Sequence, residues 1–488
     1  MAIRRGVSNL FSESIWCSSY KGLVNNAIFA RDKTTKAALS IDGEQQHRAV
    51  SSILDLEGGE ATFSGITSKE LLKTLLMLQM VSFEPVVDLS IKTLTSPLMQ
   101  SPLFQAPLHH IVKRTTYSHF CAGEDVADAS ATLERLWQLG LRGVFYYGME
   151  DAVDNASCDK NFTVFLQVIN QSSKLPPDSV SFGCVKISAI CPIQLLEHVS
   201  SLLRWQHKNK EFKLPWNEKG LPILAAESPT HSVQTMPEPL TKEEEHDWTL
   251  AHQRLWKLCR ACEIQGMPLV VDAEYMSLQP AIDTIVYAAM LEFNKGCPSV
   301  VYGTFQAYLK DTKPRLSLAL KGASEHGISL GVKLVRGAYI TRETAVAASY
   351  NVPSPIHPSI QETHRCYDEC AAIMLEEVAN GKGSLLVGTH NVNSGKAAAS
   401  KLDALGLSRS DPRVQFAQLM GMADVLSLGL AQAGFRVNKF LAFGPVSEAI
   451  SFLVRRAEEN RGMLGNTLLD RRCIRKELQR RFQQLIRI

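Results

Sequence analysis

"LGVKLVRGAY", residues 330–339, decides how this chain is read. It is a short apolar run of the kind that suits a buried strand, with Lys333 set between Val332 and Leu334. Working outward, runs of the same kind recur as "RGVFYYGME" (142–150), "FGCVKIS" (182–188), "PLVVDAE" (268–274), "SVVYGTFQ" (299–306), "SLLVGTHN" (384–391), "VQFAQLMG" (414–421) and "KFLAFGP" (439–445). Each is followed by a helical or loop-plus-helical stretch. Near-continuous apolar strands alternating with helices indicate a parallel sheet covered on both faces. Eight of them predict an α/β fold of the closed (β/α)8, TIM-like kind. An open doubly wound sheet is the runner-up, but no GxGxxG fills the first strand–helix turn.

In such a barrel the chemistry sits at the C-terminal strand ends. Those positions hold Glu150, Lys186, Asp272, Gln306, Lys333, Arg336, His390 and Gln418. A buried ammonium costs several kcal/mol unless an anion answers it. Lys186 and Lys333, expected on neighbouring strands, therefore imply an anionic ligand or a partner such as Asp272; a purely structural lysine–aspartate pair is the alternative. After Lys333, Gly337 and Ala338 would let a flat ligand approach the backbone, and Arg336 suits a phosphate. Thr389, His390 and Asn391 repeat that theme after the sixth strand. A dinucleotide draped over the strand ends would use such groups. Beyond the eighth strand, Arg455 and Arg456 stand next to Glu458 and Glu459. They form either a solvated face of local ion pairs or a clamp for a carboxylate. Barrel closure would bring Glu150 within reach of one of these arginines.

The rest of the chain frames this site. Net charge is +3 over 488 residues, too balanced for a nucleic-acid binder. The eleven cysteines are odd in number and scattered, as free thiols in a reducing compartment would be. Cys259 and Cys262 lie on a helical pattern, where packing is a better reading than metal binding, and no metal site is expected. Residues 1–40 are rich in serine and arginine and poor in acid, with Ile3, Val7, Leu10, Phe11 and Ile15 on one helical face. They read as a mitochondrial or plastid transit peptide and leader. Residues 41–140 read as a linker and a helical arm, with Leu71, Leu75 and Leu78 at helical spacing; the barrel is placed at 141–488. Its proline- and charge-rich stretch 206–247 reads as a peripheral insertion. Residues 468–488 form a basic helix with Ile474, Leu478, Phe482 and Leu485 on one face, able either to cover the barrel or to lie on an anionic bilayer.

Taken in order, "VKISAICP", "VDAE", "TFQAYL", "KLVRGAY", "THN", "LMGMAD" and "FLVRRAEENRG" resemble the proline dehydrogenase (proline oxidase) family over roughly residues 115–485. The insertion and helical arm are similar to plant members, which are mitochondrial. The resemblance implies a barrel that binds FAD noncovalently and oxidises L-proline to pyrroline-5-carboxylate. Hydride would leave C5 for flavin N5, and electrons would pass to ubiquinone at the membrane. It implies that Lys186, Arg455 and Arg456 hold the substrate carboxylate, that Tyr339 and Leu419 pack on the ring, and that Glu150 and Arg455 form a gate ion pair. Asp272, Gln306, Lys333, Arg336, Gly337, Ala338, Thr389, His390 and Asn391 would contact the flavin or its phosphates. Lys333 stands where many bacterial members have arginine, so a bidentate contact would be absent. Phe443 falls in a region where other members place a tyrosine. Hydroxyproline dehydrogenase is the near alternative. A Schiff-base aldolase using Lys186 or Lys333 as nucleophile, or a binding scaffold without turnover, are the readings from other classes.

Overall fold

A computed structural model describes residues 56, 62–94, 96, 102–217, 220–230, 232–462 and 464–486. The expected transit peptide over 1–40 lies outside the described residues. Eight parallel strands form the barrel: β1 Arg142–Tyr147, β2 Val180–Val185, β3 Leu269–Val271, β4 Val301–Gln306, β5 Leu330–Val335, β6 Gly383–Gly388, β7 Val414–Leu419 and β8 Val437–Phe443. Each pairs with the next in chain order, and β8 closes on β1 with Val144 opposite Phe440 and Tyr147 opposite Phe443.

Strand side chains alternate between faces, and here the alternation sorts them into two cores. Val144, Tyr146, Phe182, Cys184, Val270, Tyr302, Leu386, Ala417, Phe440 and Ala442 fill the inside of the barrel. Phe145, Val185, Val271, Phe305, Val332, Leu334, Val387, Phe416 and Leu441 face the helices. The interior is packed solid: Phe182 meets Tyr302 edge-on at 5.1 Å. With apolar demand on both faces, the strands carry the uninterrupted hydrophobic runs of the sequence.

The stretch assigned to the arm holds more than helices. Helices α1 (Ser68–Met80), α2 (Glu84–Leu94) and α3 (Pro102–Val112) are followed by a short strand, Cys121–Gly123, which pairs with β8 at Ala442 and Phe443, beyond the end of the β7 register. Helix α4 (Val126–Gln138) then packs on β1 and β8. It takes the wall position that a (β/α)8 fold gives its last helix, with Leu133 buried against Gly143, where a Cβ would come within 2.7 Å of it. The helix after β8, α14 (Val446–Gly462), is displaced by this arrangement and lies against α2 and α3. The side chains of Glu458 and Glu459 lie outside the described residues.

Helices α5 (Asn155–Ser172), α6 (Ile193–Lys208), α7 (Lys242–Ile264), α8 (Gln279–Phe293), α9 (Thr312–Glu325), α10 (Ile340–Ser349), α11 (Ile360–Ala379), α12 (Val392–Ala404) and α13 (Asp424–Gln432) complete the outer layer. Between α6 and Thr241 the described residues of the expected insertion form one 3-10 turn, Pro215–Asn217, and irregular chain; the Thr241 hydroxyl then opens α7 in a capping box with Glu244. Its described part is packed: Leu221 and Ile223 are buried, Arg315 Nε donates to the Ile223 carbonyl at 3.2 Å, and the Ser228 hydroxyl donates to Asp311 at 2.6 Å. Cys259 and Cys262 are buried on α7, and no metal-holding cluster of His, Cys, Asp and Glu occurs among the described residues.

The C-terminal helix α15 (Leu464–Ile486) runs along α1. Its face is divided: Asp470, Cys473, Ile474 and Glu477 are buried, while Phe482, Leu485 and Ile486 are exposed. The Asp470 carboxylate caps α13, accepting from the backbone N–H groups of Asp424 (3.2 Å) and Val425 (3.0 Å). No single described helix is long and apolar enough to cross a membrane; α1 and α2 meet that test only as a pair bent by 83°.

Candidate active site

The inward alternation of the strands sets up the site. Continuing the interior rows past Tyr146, Cys184, Val270 and Thr304 brings Glu150, Lys186, Asp272 and Gln306 to the barrel mouth, and Lys333 joins them from β5. Lys186 and Lys333 are not on neighbouring strands: β3 and β4 lie between them, and each has its own carboxylate. Lys186 is 4% exposed; its Nζ pairs with Glu150 and donates to the Tyr339 hydroxyl at 3.1 Å. Lys333 pairs with Asp272 and lies 4.1 Å above the Phe440 ring.

Glu150 is the hinge of the first cluster. Besides Lys186 it accepts from both guanidinium tips of Arg455, at 2.7 and 3.2 Å. Burial works against its charge, but Lys186 and Arg455 outweigh burial and bring its pKa down to about 2. Burial likewise opposes the Lys186 ammonium, and Tyr146, Tyr339 and Glu150 overcome it, so the group stays protonated well above the ordinary lysine range. Arg455 is drawn inward by Glu150, and Arg456 is buried beside the Phe452 ring at 5.0 Å. The solvated-face reading of this pair therefore does not describe them. The Tyr339 ring stands edge-on to Tyr275, 5.8 Å away.

A second group gathers around Arg336. Its guanidinium donates to His364 Nδ1 (2.9 Å), Thr389 Oγ1 (2.8 Å) and Ser394 Oγ (2.7 Å) and stacks 4.3 Å from the Tyr367 ring. Asn391 caps α12, accepting from the Ser394 N–H at 3.0 Å. His390 is half-buried; its Nε2 accepts from the Leu419 N–H at 3.0 Å. Burial, with the cations Arg456, Lys439 and Arg336 nearby, holds its pKa down at about 3, so the ring is neutral and its remaining proton lies on Nδ1. Leu419 packs against the interior core. An arginine and hydroxyls at the N-terminus of a helix form a donor set that fits phosphate.

Two expectations need correction. Gly337 is required, but by the protein itself: with φ at +128°, a Cβ there would stand 2.1 Å from the Tyr308 ring, so the missing side chain makes room for Tyr308 rather than for a ligand. Phe443 points out of the barrel onto Phe145 and Tyr147, with ring centroids at 6.1 and 5.6 Å; the inward aromatic of β8 is Phe440. Gln306 uses its side-chain amide to hold the Glu274 carbonyl at 2.9 Å. Ala338 is half-buried in the turn between Gly337 and Tyr339.

Two groups escaped the sequence reading. Lys439, 2% exposed on the outer face of β8, donates to Asp424 and to the Met422 carbonyl, both at 2.7 Å. It obeys the same lone-cation rule that marks Lys186. Glu274, two residues past Asp272, is 1% exposed and accepts from Ser188 at its N–H (3.0 Å) and hydroxyl (2.6 Å).

Comparison with known proteins places this geometry. A family profile described as "Proline dehydrogenase" matches residues 129–467. The Arabidopsis thaliana protein named "Proline dehydrogenase 2, mitochondrial" is 43% identical over 88% of this chain and 90% of its own length. "Hydroxyproline dehydrogenase" of Homo sapiens is 31% identical over 88% of this chain and 93% of its own. Among solved structures, proline utilization A (PutA) from Bdellovibrio bacteriovorus, inactivated by N-propargylglycine, superposes with a TM-score of 0.58 at 16% identity, over 88% of this chain. The chain spans 42% of that longer protein, and the likeness bears on the fold alone.

Proposed function

The chain belongs to the proline dehydrogenase family, and from that premise we propose that it oxidises L-proline to pyrroline-5-carboxylate with FAD as its cofactor, in the mitochondrion. The observation that carries the reading is the cluster Lys186–Glu150–Arg455, with Tyr339 beside it, at the mouth of a barrel whose other strand ends fit a phosphate-bearing flavin. When bound, FAD supplies the hydride acceptor. Arg336, Thr389, Asn391 and the N-terminus of α12 would hold its phosphates, and Lys333, Asp272, Gln306, Ala338 and His390 would border its ring system.

The chain's own work is to bind and orient. Lys186, Arg455 and Arg456 would take the substrate carboxylate, which competes with Glu150 for the same cations. The Glu150–Arg455 pair closes the mouth, so admitting or releasing a ligand requires this pair to part. Tyr339 and Leu419 would press on the ring and fix which carbon faces inward; such fixation is worth several kcal/mol of barrier. Oxidation removes a hydride from C5 and a proton from nitrogen. Three cations around the carboxylate favour the neutral amine by lowering its pKa.

The aldolase alternative is opposed by the charge state of Lys186. A Schiff-base nucleophile must be a neutral amine, and Lys186 is kept protonated by its surroundings. Hydroxyproline dehydrogenases of the family stand further from this chain than the Arabidopsis proteins do, 31% against 43% identity. Ubiquinone is the proposed electron acceptor. The exposed Phe482, Leu485 and Ile486 beside the basic residues of α15 are the proposed contact with the inner membrane.

The test is steady-state turnover of the purified, FAD-supplemented protein with L-proline and a soluble quinone, the cyclic imine product being trapped with 2-aminobenzaldehyde. Product formed in proportion to quinone reduced is the expected result. Borohydride trapping of substrate on Lys186 or Lys333, with no quinone reduced, would transfer the chain to the aldolase class.

A further inference from the structure

Glu274 is the most deeply buried carboxylate near the site, at 1% exposure, and its hydrogen-bonded partners are neutral. Its main chain is pinned on both sides: its N–H donates to Gln279 Oε1 at 2.8 Å, and its carbonyl accepts from Gln306 Nε2 at 2.9 Å. Its two carboxylate oxygens take the two donors of Ser188, at 3.0 and 2.6 Å. Ser188 is itself a bridge. It lies two residues past Lys186, in the tight turn Ile187–Ala189, and is fully buried. Its hydroxyl oxygen accepts from the Asp151 N–H at 3.1 Å, and its carbonyl accepts from the Ala152 N–H at 2.7 Å. Asp151, directly after Glu150, is held in the left-handed region at φ +57°, a conformation that a non-glycine residue keeps only where its surroundings enforce it.

These contacts form one chain: Glu274 after β3, Ser188 after β2, and the strained Asp151–Ala152 segment after β1. The two ends it ties together are the backbone of Lys186 and the backbone of Glu150. We infer that Glu274 is a positioning residue, which sets the spacing of the Lys186–Glu150–Arg455 cluster through Ser188 and so governs proline affinity. The inference rests on the reading of that cluster as the carboxylate site. The physical case is that a buried carboxylate bonded only to neutral donors is expensive, and its two oxygens are aimed at the one serine that touches both neighbouring strand ends.

A pH signature accompanies the geometry. Burial raises the Glu274 pKa, against the pull of Lys186 and the Ser188 bonds, to about 7. The charged groups facing it are Lys186 and Glu150, and the phenols of Tyr275 and Tyr339 also sense it. Above that pH both oxygens accept from Ser188. Below it, the carboxyl is neutral and both Ser188 donors lose a charge-assisted bond, loosening the Asp151 segment. Proline affinity should therefore fall as pH drops through about 7.

The experiment is anaerobic stopped-flow reduction of the FAD-loaded full chain by L-proline between pH 6 and 9. The proteins compared are wild type, Glu274→Gln, Ser188→Ala, Glu150→Gln and the Glu150→Gln/Glu274→Gln double variant. Loss of one such constraint predicts a rise in the apparent Kd for proline of about tenfold in each of the first two single variants, with a limiting rate changed far less. The binding limb near pH 7 should disappear in Glu274→Gln. In the Glu150→Gln background the further effect of Glu274→Gln should vanish, which a merely structural role would not produce. Wild-type affinity in both Glu274→Gln and Ser188→Ala, or an equal effect with and without Glu150, overturns the positioning role while leaving the proposed activity standing. A wild-type flavin that proline does not reduce overturns the activity, and this inference with it. Should Glu274→Gln not fold, Ser188→Ala decides alone.

Discussion

Lys186 and Glu150 carry opposite charges where little water screens them, and removing either leaves the other exposed to the full cost of burial. The depression of Glu150 from 4.5 to about 2 corresponds to roughly 3 kcal/mol of folding stability at neutral pH. The folded value lies below the unfolded one, so this contribution is complete above about pH 4.5 and is lost as pH falls toward 2. Urea unfolding of Glu150→Gln against wild type should show that deficit at pH 7 and a shrinking one below pH 4.5. Lys186→Met, measured as KM for L-proline, should raise it by roughly 10- to 100-fold, the worth of one charge-assisted bond, while the flavin remains bound. At this scale the sequence was legible where a charge interrupts an apolar strand. Lys186 and Lys333 stood out for that reason, and Lys439 carries the same signal without having been singled out. Glu274 was not legible: a carboxylate entering a loop resembles any surface residue, and only the approach of Ser188 across the turn reveals it. Gly337 was correctly read as necessary and misread as to why, because Tyr308 is 29 positions away.

Elements of secondary structure divide along the same line. The eight strands could be read because each is apolar on both faces, and that pattern is local. Helix α4 could not be assigned to the barrel wall, because its place there depends on α14 having moved away, which is a tertiary fact. The three-residue strand Cys121–Gly123 is too short to show any period. Since α4 closes the wall between β8 and β1, Leu133→Ala should cost about 2–5 kcal/mol, as for a fully buried leucine. A melt should show this as a lowered Tm for the whole barrel, whereas a detachable arm would give no change. The C-terminal helix makes the complementary case. Most of its length is bound into the protein through Asp470, Cys473, Ile474 and Glu477, with Arg481 donating to the carbonyls of Ile66 and Phe63 at 2.8 Å each. Phe482, Leu485 and Ile486 are left outward. Ending the chain after Arg481 should leave Tm and turnover unchanged and lower partition onto vesicles containing anionic lipid. Ending it before Leu464 should uncap α13, strip the cover from α1 and destabilise the fold. Unchanged partition in the shorter truncation would remove the proposed membrane contact.

On the scale of the whole molecule, a sealed barrel with a solid interior presents its chemistry at one rim. Lys186, Arg455 and Tyr339 stand together on one side of that rim, and a helix N-terminus with an arginine stands on the other. A small carboxylate bound beside a flavin uses both halves, while a Schiff-base enzyme would leave the second half idle. Family membership and rim geometry therefore point the same way, toward the proposed cofactor seated between the two halves. The most direct measurement is the absorbance of the purified, FAD-loaded protein from 300 to 550 nm, before and after anaerobic addition of L-proline, repeated with trans-4-hydroxyproline and with Lys186→Met. The expected result is a flavin band that proline bleaches rapidly and hydroxyproline slowly or not at all, and that Lys186→Met retains but bleaches only at much higher proline. Faster bleaching by hydroxyproline would move the chain to the sister activity, and a protein that stays colourless after FAD is added would contradict the account at its centre.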